Sequence, residues 1–353
     1  MSCSEPPPVP ASQPAPKSYR IQLESLATVQ SGQPTHITVG GDGTTYFVQE
    51  RPRKDDVMFV IPARGVAQAS NLTSQRVASA LGYRAGVSGN LQSLAVDPAG
   101  RVYFFFAGGT KRTNLSCFGV FDPTTDTVQI LADNPTLAKA TLMGDSFNLA
   151  RGTVSIAGDV VWLAVQNPAM AAVFRFQIAA LNEAKPTSFI PAFTSLQTPF
   201  GKTELAAEEI SFAAHPSGSL LVTDRYTGSI WQVNSVGQAT LLQNLVGAPE
   251  NLATAGADAA GNCATFLNDG RPIIPRMEGH VDPAEISAIL PIFLFRRGND
   301  TMLMGKEMFQ DDGKFAIFVM SLQQLVADAQ PDRWVGYDRN SGELLRLRLI
   351  PVR

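Results

Sequence analysis

The chain has 353 residues, of which 44% are hydrophobic and 17% charged, and its formal net charge is −3. That is a globular composition on a chain long enough for one large repeat assembly or two domains. The near-neutral balance gives no electrostatic footprint for nucleic acid or anionic lipid, and the longest apolar run, 286–295, is too short and too Pro-interrupted to span a bilayer.

Residues 1–17 read MSCSEPPPVPASQPAPK. Rich in Pro, Ser and Ala, they cannot bury a core and are expected to form a disordered tether. Ser2-Cys3-Ser4 ahead of a Pro-rich stretch resembles the mature start of a bacterial lipoprotein, where the Cys carries the lipid. The resemblance implies an extracytoplasmic protein tethered to a membrane through Cys3; a low-complexity cytoplasmic start is the other reading. Residues 18–353 then form a single domain. The remaining Cys117 and Cys263 fall on expected strands and read as buried free thiols, because three Cys make neither a disulfide framework nor a metal spacing.

From residue 18 onward the chain repeats itself. Ile37-Thr-Val-Gly-Gly-Asp-Gly43-Thr-Thr-Tyr-Phe-Val48 reads as a strand, a tight turn and a strand. The pattern returns at Leu94-Ala-Val-Asp-Pro-Ala-Gly100-Arg-Val-Tyr-Phe-Phe105, and with a shorter turn at Val154-Ser-Ile-Ala-Gly158-Asp-Val-Val-Trp-Leu163. It is fullest at 208–233, EEISFAAHPSGSLLVTDRYTGSIWQV, which holds three strands and two turns. A degenerate copy spans 252–266, and Phe293 to Leu303 around Gly298 reads as a sixth. The turn glycines 43, 100, 158 and 218 are spaced by 57, 58 and 60 residues. Asp338-Arg-Asn-Ser-Gly342-Glu-Leu344 matches Asp224-Arg-Tyr-Thr-Gly228-Ser-Ile230 and marks the same turn in a last unit.

Such a unit exposes apolar residues on both faces and requires copies on either side. A period of about 60 built from hairpins predicts an all-β fold, a β-propeller of six blades with four antiparallel strands each. Five and seven blades are the neighbouring counts, and an immunoglobulin-like array is the other architecture, with longer units. Residues 18–26 are expected to supply the outer strand of the blade built from 334–349, so that pairing of the N- and C-terminal strands closes the ring. The spacing of Leu322, Leu325, Val326 and Ala329 predicts a short connecting helix over 321–329.

Residues 94–105 and 210–233 carry a pattern, apolar-x-Val-Asp-Pro-x-Gly-x-Val-Tyr and then Val-x-Asp-x-x-x-Gly-x-Ile-x-x-Val, that resembles the NHL-repeat and gluconolactonase-like propellers. The resemblance implies a six-bladed ring. It also directs attention to the mouth of the central channel, where gluconolactonase-like enzymes hold a divalent metal with Glu, Asn and Asp. Here the residues just before the first strands are His36, Ser93, Thr153, Glu209, Asn251 and Glu285, every one polar. By this resemblance Glu209, Asn251 and Glu285 are the candidate ligands of a divalent cation such as calcium, a hard ion that takes oxygen donors. His36 joins them as a candidate ligand-binding residue. The pattern departs from the family at Leu252 and Ile286, which stand where Gly usually follows the ligand, and at His36, which stands where a Glu is usual. A second candidate is the polar stretch 259–282, with Asn268, Asp269, Arg271, Arg276, Glu278, His280 and Asp282, read as a loop over the mouth or as a solvated connection.

No standard catalytic motif is present in the sequence. The expectation is therefore a monomeric, non-catalytic propeller that binds a protein or a small-molecule ligand at its mouth. The alternative is a metal-dependent lactonase or other hydrolase that uses the same ring.

Overall fold

The computed structural model describes residues 18–29, 34–49, 55–83, 88–110, 113–141, 151–166, 171–182, 189–205, 210–214, 218–224, 229–244, 265–266, 272–273, 292–297, 300–305, 322–330, 333–338 and 342–352. The expected tether 1–17 and most of 245–321 lie outside them.

The first sheet is a four-stranded meander of β2 (Pro34–Val39), β3 (Thr45–Gln49), β4 (Val57–Ile61) and β5 (Gln68–Thr73), preceded by β1 (Ser18–Thr28). The short helix α1 (Ser74–Ala80) follows, started by Thr73, whose side chain accepts from the Arg76 N–H at 3.1 Å. The second sheet comprises β6 (Ser88–Val96), β7 (Val102–Thr110), the two-residue β8 (Thr113–Asn114), β9 (Cys117–Asp122) and β10 (Thr127–Asp133). Asp133 then caps α2 (Asn134–Ala140). In each case a helix lies between the last strand of one sheet and the first strand of the next.

The third sheet holds β11 (Arg151–Ala157), β12 (Val160–Gln166) and β13 (Ala171–Gln177), followed by the single-turn α3 (Ile178–Leu181). Four strands were expected here; Phe193 makes only a lone bridge to Val173 in the fourth position. The hairpin β14 (Ser195–Thr198) and β15 (Gly201–Glu204) is a two-stranded sheet, bridged through Gln197 to Gln238 of the fourth sheet's last turn. The fourth sheet is again a meander, β16 (Ile210–Ala214), β17 (Leu220–Asp224), β18 (Ser229–Val233) and β19 (Ala239–Asn244). Beyond it come the two-residue β20 (Thr265–Phe266) and β21 (Pro272–Ile273), the hairpin β22 (Ile292–Arg297) and β23 (Asp300–Gly305), and finally β24 (Leu322–Ala327), β25 (Arg333–Asp338) and β26 (Glu343–Val352).

The fold follows from strands that are apolar on both faces. In β12 every residue is buried. Val161, Leu163 and Val165 pack toward the second sheet, with Tyr103, Phe105 and Phe118. Val160, Trp162 and Ala164 pack toward the fourth, with Phe212, Leu220 and Val222. Likewise Phe104 and Phe106 of β7 face the first sheet while Tyr103 and Phe105 face the third. A sheet apolar on both sides must sit between two others, and each fully buried Phe contributes about 1.5–3 kcal/mol relative to exposure. The first strands β24, β2, β6, β11 and β16 touch one another in that order. Sheets stacked face to face about a shared line of first strands form a β-propeller. Among the described residues five such sheets are seen; blade number and closure of the ring stay at the level of proposal.

β1 pairs antiparallel with β26 from Ser18↔Val352 to Thr28↔Glu343, so the two ends of the described chain share one sheet, as the sequence led us to expect. Two expectations are corrected there. Residues 322–327 form a strand, β24, and not a helix. A register shift between Gln323 and Leu325 explains the misreading: a bulge adds one residue to the alternation and turns period two into a three-residue step between Leu322 and Leu325. The hairpin β22–β23 does form, but β23 pairs with the free edge of β1 and so extends the terminal sheet instead of heading a blade of its own.

The turn glycines behave as read. Gly43, Gly100, Gly158 and Gly218 have φ of 83°, 84°, 61° and 81°. A Cβ at Gly100 or Gly218 would meet nothing within 4 Å, so backbone conformation alone restricts these positions. Gly100→Val and Gly218→Val are each expected to lower stability by about 1–3 kcal/mol. Urea denaturation checks this, and unchanged midpoints for both would contradict it. Cys117 is a buried free thiol, its pKa pushed far up by burial and therefore inert.

Candidate functional site

The first strands begin at one end of the stack, where the expected mouth lies. At this position an inner strand has a backbone difficulty. One edge of β11 pairs with β12, while the other edge faces the axis and, among the described residues, has no hydrogen-bonded strand. The preceding sheet supplies the missing partners with side chains. Ser93 Oγ accepts from the Val154 N–H at 2.9 Å and donates to the Val154 carbonyl at 3.2 Å. Gln92 Oε1 accepts from the Gly152 N–H at 3.1 Å. One step back around the stack, the Asp56 carboxylate, itself buried, accepts from the Leu91 N–H of β6 at 3.1 Å. Each of these contacts joins one sheet to the next.

Ser93 is thus polar because it stands in for a strand, and not because it faces a ligand. Asp56 was missed from sequence: Asp55-Asp56 before a strand reads as a solvated turn, and nothing local announces that the second carboxylate is buried against β6. The expected site residues divide as follows. His36 lies on β2, whereas Glu209, Asn251 and Glu285 fall outside the described residues, as does the polar stretch 259–282 apart from β20 and β21. Among the described residues no group of three or more His, Cys, Asp or Glu could hold a metal ion.

His36 has an unusual backbone. Its φ is 60°, in the left-handed region that non-glycine residues seldom adopt, and the β2–β3 register shifts between Thr35 and Thr38 around it. The bulge turns this residue out of the regular alternation at the start of an inner strand, at a cost of about 1–2 kcal/mol. Burial lowers the imidazole pKa from 6.5 to about 4, so the ring is neutral at physiological pH. A group protonated less readily in the folded than in the unfolded chain makes stability fall as pH drops from 6.5 through 4, and not further. Since the residue as a whole retains partial exposure, we expect about 1–2 kcal/mol of loss across that window. His36→Gln should flatten that part of the stability–pH profile; an identical slope in both proteins would assign the loss to other groups.

The opposite end of the stack is held by turn chemistry. Asp97, fully buried, accepts from the Ala99 and Arg101 N–H groups at 2.9 Å and pairs with the Arg101 guanidinium at 2.6 Å. Arg101 also reaches Asn182, beyond the third sheet. These groups fix a turn and a seam between sheets, and their bonds leave little capacity for a ligand.

No protein-family model matches the sequence, and no curated protein matches it. Solved structures do resemble the fold. A structural-genomics protein of unknown function from Bacteroides thetaiotaomicron is 11% identical with a TM-score of 0.51, over 94% of this chain and 76% of that one. Virginiamycin B lyase from Staphylococcus aureus is 11% identical with a TM-score of 0.45, over 94% of this chain and all of the other. A candidate gluconolactonase is 10% identical with a TM-score of 0.47, over 93% and 92% of the two chains. At such identity the likeness is one of fold and assigns no activity.

Proposed function

We propose that the chain is a non-catalytic propeller that binds a protein or small-molecule ligand at the end where the inner strands begin. The observation that supports this reading is how the polar side chains there are used. Asp56, Gln92 and Ser93 satisfy the backbone of the next sheet, and the His36 imidazole is kept neutral by burial. Asp56, Gln92 and Ser93, committed in this way, build a rigid rim, and an imidazole whose pKa is lowered by burial is a weak proton shuttle at neutral pH. A rigid rim suits recognition by shape and hydrogen bonding. In this reading the protein is exported, with Cys3 as the point of lipid attachment, and acts as a monomer.

The experiment is a calcium titration read by thermal melting, on wild type and Glu209→Gln. The binding-propeller reading expects flat curves for both proteins up to millimolar calcium. A cation bound only by the folded form would stabilise it by about 2.7 kcal/mol at a hundredfold excess over Kd. Such a rise in wild type, lost in Glu209→Gln, would replace this reading with the metal-dependent lactonase that Glu209, Asn251 and Glu285 suggest.

A further inference from the structure

The hairpin β14–β15 interrupts the outer edge of the third sheet. Just before it, the Val173 N–H of β13 donates to the Phe193 carbonyl at 3.0 Å; just after it, the Ala171 N–H donates to the Leu205 carbonyl at 3.1 Å. The chain thus leaves that edge, makes the hairpin and returns. The second strand of the hairpin lies in water. All four residues of β15 are exposed, and Phe200 at the tip is 84% exposed.

The outer edge of β15 is open. In an antiparallel pair, residues directly opposite either exchange both backbone hydrogen bonds or turn both away. Gln197 lies opposite Lys202, and Ser195 opposite Glu204. The Gln197 N–H donates to the Gly237 carbonyl at 2.8 Å, on the side of β14 away from β15. Lys202 therefore turns its own N–H and C=O outward, and Glu204, two residues on, does the same. Among the described residues no strand pairs with that edge. Such an edge is a template for a further strand.

The side chains decide which strand fits. Lys202 and Glu204 share one face of β15, are 60% and 70% exposed, and meet at 2.6 Å. A lysine ordinarily guards an edge strand, because a second copy brings a second lysine against it. Here the order of charges removes that guard. When two copies of β15 pair antiparallel about Thr203, Lys202 of each stands opposite Glu204 of the other. These are also the residues whose backbone groups face outward, so backbone register and charge order select the same pairing. Each ammonium then lies between two carboxylates, one on its own strand and one on the other. Phe200 falls opposite position 206 of the second copy, next to where that chain rejoins its third sheet, which takes the exposed ring toward protein.

We propose that a second copy of this chain docks on β15, the two hairpins joining about Thr203 into one four-stranded sheet. Two four-residue strands cannot bury the roughly 1,200 Å² of a stable complex, so the association is weak and the dilute protein is the monomer described above. The inference rests on the hairpin alone and not on the reading of the mouth.

Sedimentation velocity of the full chain, from about 1 μM to about 1 mM, tests it. Wild type should move from monomer toward dimer over that range, and less so in high salt, because the charges are exposed. Lys202→Glu makes the edge Glu-x-Glu, and Glu204→Lys makes it Lys-x-Lys. Each variant alone should therefore lose about tenfold or more in self-association. An equimolar mixture of the two should regain it, since every glutamate again meets a lysine, and so should the double variant Lys202→Glu/Glu204→Lys. Both positions are exposed, so all the variants should melt with wild type. A wild type that stays monomeric at the highest concentration would overturn the proposal and leave the edge to a strand of another protein. Association that survives both single variants would overturn it as well, as would single variants whose mixture does not recover.

Discussion

Arg346→Ala is expected to lower stability by about 3–5 kcal/mol, the cost of stranding a buried charge. Arg346 sits on β26 with its side chain 11% exposed, and its Nε donates to Asp328 Oδ2 at 2.8 Å, where the Asp328 side chain is 3% exposed. A second nitrogen donates to the Gly43 carbonyl at 3.4 Å, in the first turn of the neighbouring sheet. The third contact, 3.7 Å to Glu24 on β1, involves a carboxylate that is 65% exposed and adds little. One guanidinium therefore joins the turn between β24 and β25 to the adjacent sheet. Removing it leaves the Asp328 carboxylate uncompensated. The double variant Arg346→Met/Asp328→Leu should recover most of the loss, because it removes both charges together. Urea denaturation gives both numbers. A loss under about 1 kcal/mol for Arg346→Ala would show that Asp328 is solvated when alone.

Gly152→Val is the second large effect, at about 3 kcal/mol or more. Gly152 is buried on β11, and a Cβ there would fall inside the Phe105 ring, against its Cγ and both Cδ atoms. Phe105 is itself fully buried among Tyr103, Phe118, Val154 and Leu163. The ring cannot withdraw without displacing that cluster, and the Gly152 N–H is held to Gln92. The restriction comes from packing, since Gly152 is not among the positive-φ glycines. If so, Phe105→Ala, which alone should cost about 3–5 kcal/mol, and Gly152→Val should be strongly non-additive, the double variant losing less than their sum. Strict additivity would show that the two residues do not meet. Gly152 drew no attention in the sequence, because a glycine made necessary by a partner 47 positions earlier has no local signature.

What the sequence by itself determined is what one residue or one short run can encode. The turn glycines 43, 100, 158 and 218 announce left-handed backbone in their neighbourhoods, and each has it. Strands such as 160–166, apolar at successive positions, demand cover on both faces, and that demand alone leads to stacked sheets. The match between 338–344 and 224–230 located the turn of the last sheet, and with it the partner of β1. Where the alternation is broken the reading failed. The bulge in β24 imitates a helical step, and only the pairing partner, β25, distinguishes the two.

The tertiary structure alone decided which polar groups are spoken for. Ser93 and Val154 are 61 residues apart, and Asp56 and Leu91 are 35 apart. Their bonds exist because two sheets bring an unpaired strand edge against a side chain, a condition set by packing and absent from either segment alone. The same holds for Ser155, Trp162 and Arg175, which are ordinary strand residues in sequence. Register places them in one cross-strand row on the face toward the fourth sheet, and among the described residues their donors meet no partner.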